Sequence, residues 1–150
     1  MFQQPAEGRL RLWREFRSTL DSTTLQNALI QTAEFWTRAP FVPFNLDVNE
    51  SDKWPDPWTL IEENVYCDIA KCLGIVYTVL LTKHRTELDF EIRVYQDSKT
   101  NYEYNLAWLS QGKYILNMID GAVVNIKQFD KSLKLKHSFT AVDLKLENYI

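Results

Sequence analysis

The chain holds two cysteines and two histidines, so any thiol, imidazole or soft-metal chemistry has to be found among four residues. Cys67 and Cys72 lie five apart in VYCDIAKCLG, a stretch of helical pattern. On a helix that spacing turns two side chains about 140° apart and lifts one about 7.5 Å above the other, which is too far for a disulfide. There is no CxxC pair and no Cys/His cluster with metal-ligand spacing, so neither a metal nor a cofactor is expected. Unpaired thiols fit a reducing, cytoplasmic setting. Cys67 is the candidate nucleophile. Asn64 offers a break that would set Cys67 in the first turn of a new helix, where the positive end of the dipole favours a thiolate. A thiol nucleophile also needs a base and a group to orient that base. Of the two histidines, the one that could serve as base is His137, on a later alternating stretch. The competing readings are structural: Cys67 as a small buried apolar residue, and His137 as a half-buried member of a sheet face. His84 follows the end of the helical pattern and is out of position.

These residues have to be held by the elements around them, and the longest helical pattern, Pro55 to His84, is the centre of the arrangement. Asp56-Pro57 is a helix start, an N-cap acid followed by proline at the first position. Trp58, Ile61, Val65, Ile69, Cys72, Val76 and Val79 then track one face. So little polar surface remains after Asp68 that the helix must be covered on most sides. Gly74 inside it costs roughly 1 kcal/mol relative to alanine and marks a close-packing point. Lys83, His84 and Arg85 complement the dipole at its end. Upstream, residues 1–8 read as an extended arm and 9–38 as a helical hairpin, with Leu10, Trp13, Phe16 and Leu20 on one helix and Leu25, Ala28, Leu29, Ala33 and Trp36 on the next. Residues 39–56 read as a proline- and aromatic-rich wrapping loop. From Leu88 the period becomes two: Phe90, Ile92 and Val94 alternate with Glu91, Arg93 and Tyr95. Short turns then join further strands through residue 146, and Leu133, Leu135, His137 and Phe139 form one face of the last clear strand. Helices first and strands second predict a single α+β domain over 1–150, with a helical hairpin and buried central helix packed on an antiparallel meander of four or five strands.

Candidate binding residues fall outside the predicted core. Arg9, Arg11, Arg14 and Arg17 give the first helix a basic face, of which Arg11 and Arg14 are candidates for an acidic partner. Phe41, Phe44 and Trp54 in the loop, and Trp58 at the helix start, are candidate apolar contacts. An acidic run (Asp47, Glu50, Asp52, Asp56) and late lysines (Lys127, Lys131, Lys134, Lys136) separate the charges along the chain, which suits a protein partner or head-to-tail self-association. The net charge of −3 argues against general nucleic-acid binding. The apolar run Ile75 to Leu81 is too short to span a bilayer. Glu62-Glu63 and Asp68 are adjacent on a helix and do not converge as a catalytic pair. No phosphate loop, HExxH or GxSxG motif is present.

A cysteine near a helix start, followed by YCDIAKCLGIVYTVLL and strands carrying NLAWLSQGKYILNMID, resembles the transglutaminase-like (papain-related) core over Asn64 to Asp120. The resemblance implies a thiol enzyme whose second strand opens with a histidine before an apolar-aromatic pair, with an acid after the next strand. Here Glu103 to Asn105, before Ala107-Trp108, contains no histidine, and Asp120 or Asn117 stands at the acid's place. The stretch WPDPWTLIEENVYCDIAKCLG also resembles small uncharacterised proteins of tailed phages, which implies an accessory or virion-associated protein in the host cytoplasm or the virion. The expectation drawn is a non-catalytic interaction or assembly protein. The alternatives are a thiol enzyme using Cys67, and a small-ligand pocket lined by Trp58, Tyr66, Tyr104 and Trp108.

Overall fold

Three helices, two of them bearing a tryptophan, are tied together by one threonine. In the computed structural model, which describes residues 1–150, helices α1 (Ala6–Leu20), α2 (Leu25–Trp36), α3 (Pro57–Glu63) and α4 (Asp68–Leu80) precede a sheet. Helix α4 is the central one, with every residue from Cys72 to Leu80 buried. Thr78 on α4 accepts hydrogen bonds from Trp13 Nε1 of α1 at 3.0 Å and Trp36 Nε1 of α2 at 2.9 Å. Its own hydroxyl donates to the Gly74 carbonyl at 2.6 Å. Gly74 is the expected close-packing point: a Cβ there would lie 2.3 Å from the Trp36 ring.

The long central helix is divided. Asn64 takes the left-handed conformation, at φ 55°, and ends α3, after which Cys67 serves as N-cap of α4. Asparagine tolerates this region better than most residues. Asp56 caps α3 by accepting from the Thr59 amide at 2.8 Å, with Pro57 in the first turn. After α4 a short 3-10 turn, Lys83–Glu87, leads into the sheet, with Thr82 as its N-cap.

The arm expected over residues 1–8 is not extended. Helix α1 begins at Ala6, and Phe2 is a buried core residue packed against Phe35, Trp36 and Tyr66. Asn64 donates to the Phe2 carbonyl at 3.0 Å and holds the terminus in place. Thr24 caps α2 by accepting from the Asn27 amide. The wrapping loop contains a 3-10 segment, Val48–Lys53.

The strands are β1 (Phe90–Gln96), β2 (Glu103–Leu109), β3 (Tyr114–Leu116), β4 (Val123–Val124) and β5 (Lys134–Thr140), all antiparallel, in the order β4-β3-β2-β1-β5. The first four form the expected meander, with the third and fourth shorter than their sequence pattern. The fifth does not follow on at β4. Residues 125–133 cross the outer face and deliver β5 to the free edge of β1. A register shift in the β1–β5 ladder between Val94 and Tyr95 breaks the expected alternation. Val94 faces His137 while Tyr95 faces Leu135, so Leu135 and Leu133 lie on the opposite face from His137 and Phe139. One extra residue in a bulge has this effect because side chains alternate with period two.

Two apolar layers result. Phe90, Ile92, Val94, Ala107, Leu109, Leu116 and Phe139 face the helices. Tyr95, Leu106, Trp108, Ile115 and Val124 form an outer cluster covered by Phe129 and Leu133 of the crossing segment. No helix is long and apolar enough to cross a membrane. The strands expected through residue 146 end at Thr140, and the last residues form a 3-10 turn, Leu146–Tyr149, with Leu146 buried.

Candidate functional site

At the N-terminus of α4 a cysteine, an aspartate and three asparagines meet. Cys67 is buried, at 4% exposure, and its backbone N–H donates to Asn45 Oδ1 at 2.8 Å. The Asn45 amide in turn donates to the Val65 carbonyl at 3.2 Å. Asn45 therefore ties the proline-rich loop to the α3–α4 junction, a tie strengthened by the Val42 amide donating to the Tyr66 carbonyl. Asp68, the first residue of α4, accepts from Asn105 Nδ2 at 2.9 Å and from Asn117 Nδ2 at 3.3 Å. Asn117 Nδ2 also donates to the Asn105 carbonyl at 2.9 Å. Asn105 belongs to β2, and Asn117 follows β3 in the left-handed conformation, at φ 72°. A carboxylate in a first helical turn is favoured by the dipole, and the two carboxamides satisfy its oxygens.

The proposed base and acid are not gathered here. Asp120 is exposed and forms an ion pair with Lys71, one turn along α4 from Cys67. His137 shares a cross-strand row with Asn105 through Val94. Two strand spacings put it about 10 Å away from Asn105 along that row, and its ring stacks near Phe139. His84 is buried at the far end of α4, where Nε2 must carry the proton, since its partner 2.8 Å away is the Leu20 carbonyl. Cys72 is wholly buried inside α4, and burial pushes its thiol well above the ordinary range. Both cysteines are free. No group of three or more His, Cys, Asp or Glu side chains converges in metal-binding geometry.

The residues that sequence reasoning missed are Asn45 and the Asp68–Asn105 contact. An asparagine carries no periodicity, and its partners lie 22 and 37 residues away in the chain. The one available signal was the empty histidine place at Glu103 to Asn105.

The candidate binding residues divide. Phe41 and Phe44, at 66% and 72%, are strongly exposed on the loop that leads to Asn45. Trp54 is turned inward, its indole donating to the Asp47 carbonyl at 2.8 Å and its ring 4.8 Å from Phe139. Trp58 is partly exposed and packs edge-on to Tyr149. Arg11 and Arg14 are exposed, Arg11 pairing with Glu15 at 3.4 Å. The basic face of α1 is narrower than its sequence suggests. Arg9 donates to the Ile61 and Glu62 carbonyls at the end of α3, and Arg17 lies over the Trp13 ring. The pocket envisaged between Trp58, Tyr66, Tyr104 and Trp108 does not form. Tyr66 belongs to the helix-facing core, whereas Trp108 and Tyr104 pack in the outer cluster.

No protein-family model matches the chain, and no curated protein sequence does. Three solved structures of Legionella pneumophila LapG share its fold. The TM-scores are 0.69 for LapG, 0.68 for an EGTA-treated form and 0.71 for a calcium-bound form, each at 14% identity. The alignments cover 91–92% of this chain and 74–77% of LapG. LapG is a transglutaminase-like (papain-related) cysteine protease, and the likeness is one of fold.

Proposed function

We propose that this chain is a non-catalytic interaction domain on a transglutaminase-like fold, with carboxamides where the enzyme core needs a base and an acid. The observation that carries this reading is the Asp68–Asn105–Asn117 network beside Cys67. Neither carboxamide takes up a proton near neutral pH, so neither can act as general base for the thiol. Asn45 also occupies the Cys67 N–H that a helix N-terminus would otherwise offer to an oxyanion. The exposed Phe41 and Phe44, on the loop that supplies Asn45, are the apolar contacts such a domain would use toward a protein partner. An accessory or virion-associated protein is the role that the tailed-phage resemblance implies for it.

A second reading, a thiol enzyme, is favoured by one observation: Cys67 sits at the N-terminus of α4 in a fold shared with a cysteine protease. Alkylation of Cys67 by iodoacetamide across pH, against Cys67→Ser, separates the two. The interaction reading expects labelling at the rate of unfolding. Fast labelling of the folded protein at or below about pH 7 would establish the enzyme reading in its place.

A further inference from the structure

We propose that the free edge of β5 is a strand-addition site for an extended, acidic segment of a partner protein. The sheet has two edges. The β4 edge is two residues long and lies beside α2, with Leu29 and Ile30 facing Val123 and Val124 across a small cavity. The β5 edge is seven residues long and pairs with β1 alone, closed only at its last residue, Thr140, by Asp143 and the Leu144 amide. Thr140 N–H is turned away from β1 to the Asp143 carboxylate at 2.9 Å. Two residues earlier on the same strand, the Ser138 N–H points the same way, because ladder direction alternates along an antiparallel strand.

The chemistry around this edge selects the partner. Lys127, Lys131, Lys134 and Lys136 are exposed and lie in or just before the first half of the strand with Asp130 between them, in a chain of net charge −3. The acids of this edge, Asp143 on Thr140 and Glu91 on Ser138, lie at its other end and are engaged in hydrogen bonds there. None of the four lysines is in an ion pair. Edge lysines repel neutral and basic strands, and the same charges attract an acidic one, so rejection and selection come from one device. Leu135, at 44% exposure on the outer face, offers an apolar contact to an alternate side chain of the incoming strand. A second copy does not fit. Pairing β5 with β5 would set lysines against lysines, and the chain's own acidic run is not an extended strand, with Glu50 and Asp52 in the 3-10 turn Val48–Lys53 and Asp47 and Asp56 as helix caps. This edge belongs to a different part of the sheet from Cys67, so its test is independent of thiol reactivity.

A fluorescent peptide of alternating glutamate and valine is titrated into the whole protein at low and high salt, beside a lysine-valine counterpart. The expected result is saturable binding of the acidic peptide alone, weakening with salt, and weakened about tenfold or more by Lys134→Glu/Lys136→Glu. Ser138→Pro, which removes an outward N–H and leaves the lysines, should weaken binding similarly while the circular dichroism spectrum is retained. If Ser138→Pro does not fold, chemical-shift changes confined to 134–140 on titrating the unaltered protein take its place. Absence of binding, equal binding of the basic peptide, indifference to the charge reversal, or shifts centred elsewhere would each overturn the proposal.

Discussion

Thr78 is fully buried and is the only hydrogen-bond partner of two buried indoles. Replacing it by valine keeps the shape and strands both N–H groups. Each orphaned buried donor costs about 1–3 kcal/mol, so Thr78→Val should lower stability by about 2–4 kcal/mol in urea unfolding, whereas Thr78→Ser should stay near the parent. Gly74→Ala tests the same joint from the other side. A methyl 2.3 Å from the Trp36 ring has to displace it, and overpacking costs about 1–3 kcal/mol. Trp36→Phe should recover part of that loss in a double-mutant cycle, because the two sites share one contact. Tyr66 behaves oppositely. Its hydroxyl is buried without a partner, and burial raises its ionisation above the ordinary tyrosine range. Tyr66→Phe should therefore be neutral or stabilising by about 1 kcal/mol at neutral pH. The sign of the pH effect follows from the raised value. The unfolded phenol ionises first, near pH 10, so the stabilisation is complete below about pH 10 and is lost as pH rises beyond it. Urea midpoints measured toward alkaline pH should fall less steeply in Tyr66→Phe than in the parent.

At the scale of elements, the junction of α3 and α4 was legible because Asn64 interrupts an apolar pattern that runs on both sides of it. The order of helices and strands, and the first four strands, followed from changes of period. The position of β5 did not. Its alternation is regular in sequence, and a bulge in the β1–β5 ladder reverses the face of Leu133 and Leu135. Nothing in that stretch marks a bulge, since the residue it adds is an ordinary exposed lysine or its neighbour. The pairing partner of β5 was hidden for a similar reason: a crossing segment needs only Phe129 and Leu133 to cover the outer cluster. The role of Asn45 was equally silent, yet it joins the loop to α4 through the Cys67 amide. Asn45→Ala should cost about 0.5–2 kcal/mol, the range for losing a helix N-terminal acceptor. It should also speed labelling of Cys67 in the folded protein, read by mass spectrometry after timed alkylation. Unchanged labelling with lowered stability would mean that the loop protects Cys67 by packing and not through Asn45.

Across the whole molecule, a fold shared with a cysteine protease brings the N-terminus of α4, the start of β2 and the end of β3 to one place, and this chain fills that place with Cys67, Asn105 and Asn117. On the function proposed above, the arrangement of backbone is separable from the proton chemistry, as expected where function lives in a site set on a widely used fold. That separation makes a demanding prediction. Asn105→His together with Asn117→Asp should place an imidazole beside the α4 N-terminus and a carboxylate next to it, using positions that already meet around Asp68. Imidazole next to a thiol favours the thiolate, and a neighbouring carboxylate orients the ring. Cys67 in the double variant should then react with iodoacetamide about tenfold or more faster than in the parent at neutral pH, and Cys67→Ser should abolish the signal. The single Asn105→His variant should fall between the two. The comparison requires matched melting curves, because exposure through partial unfolding would raise labelling at every pH, whereas an activated thiol raises it selectively as the imidazole loses its proton. A flat acceleration across pH, or none, would mean that the Asp68 network holds Cys67 out of reach of β2, and that the shared fold carries no latent catalytic geometry in this chain.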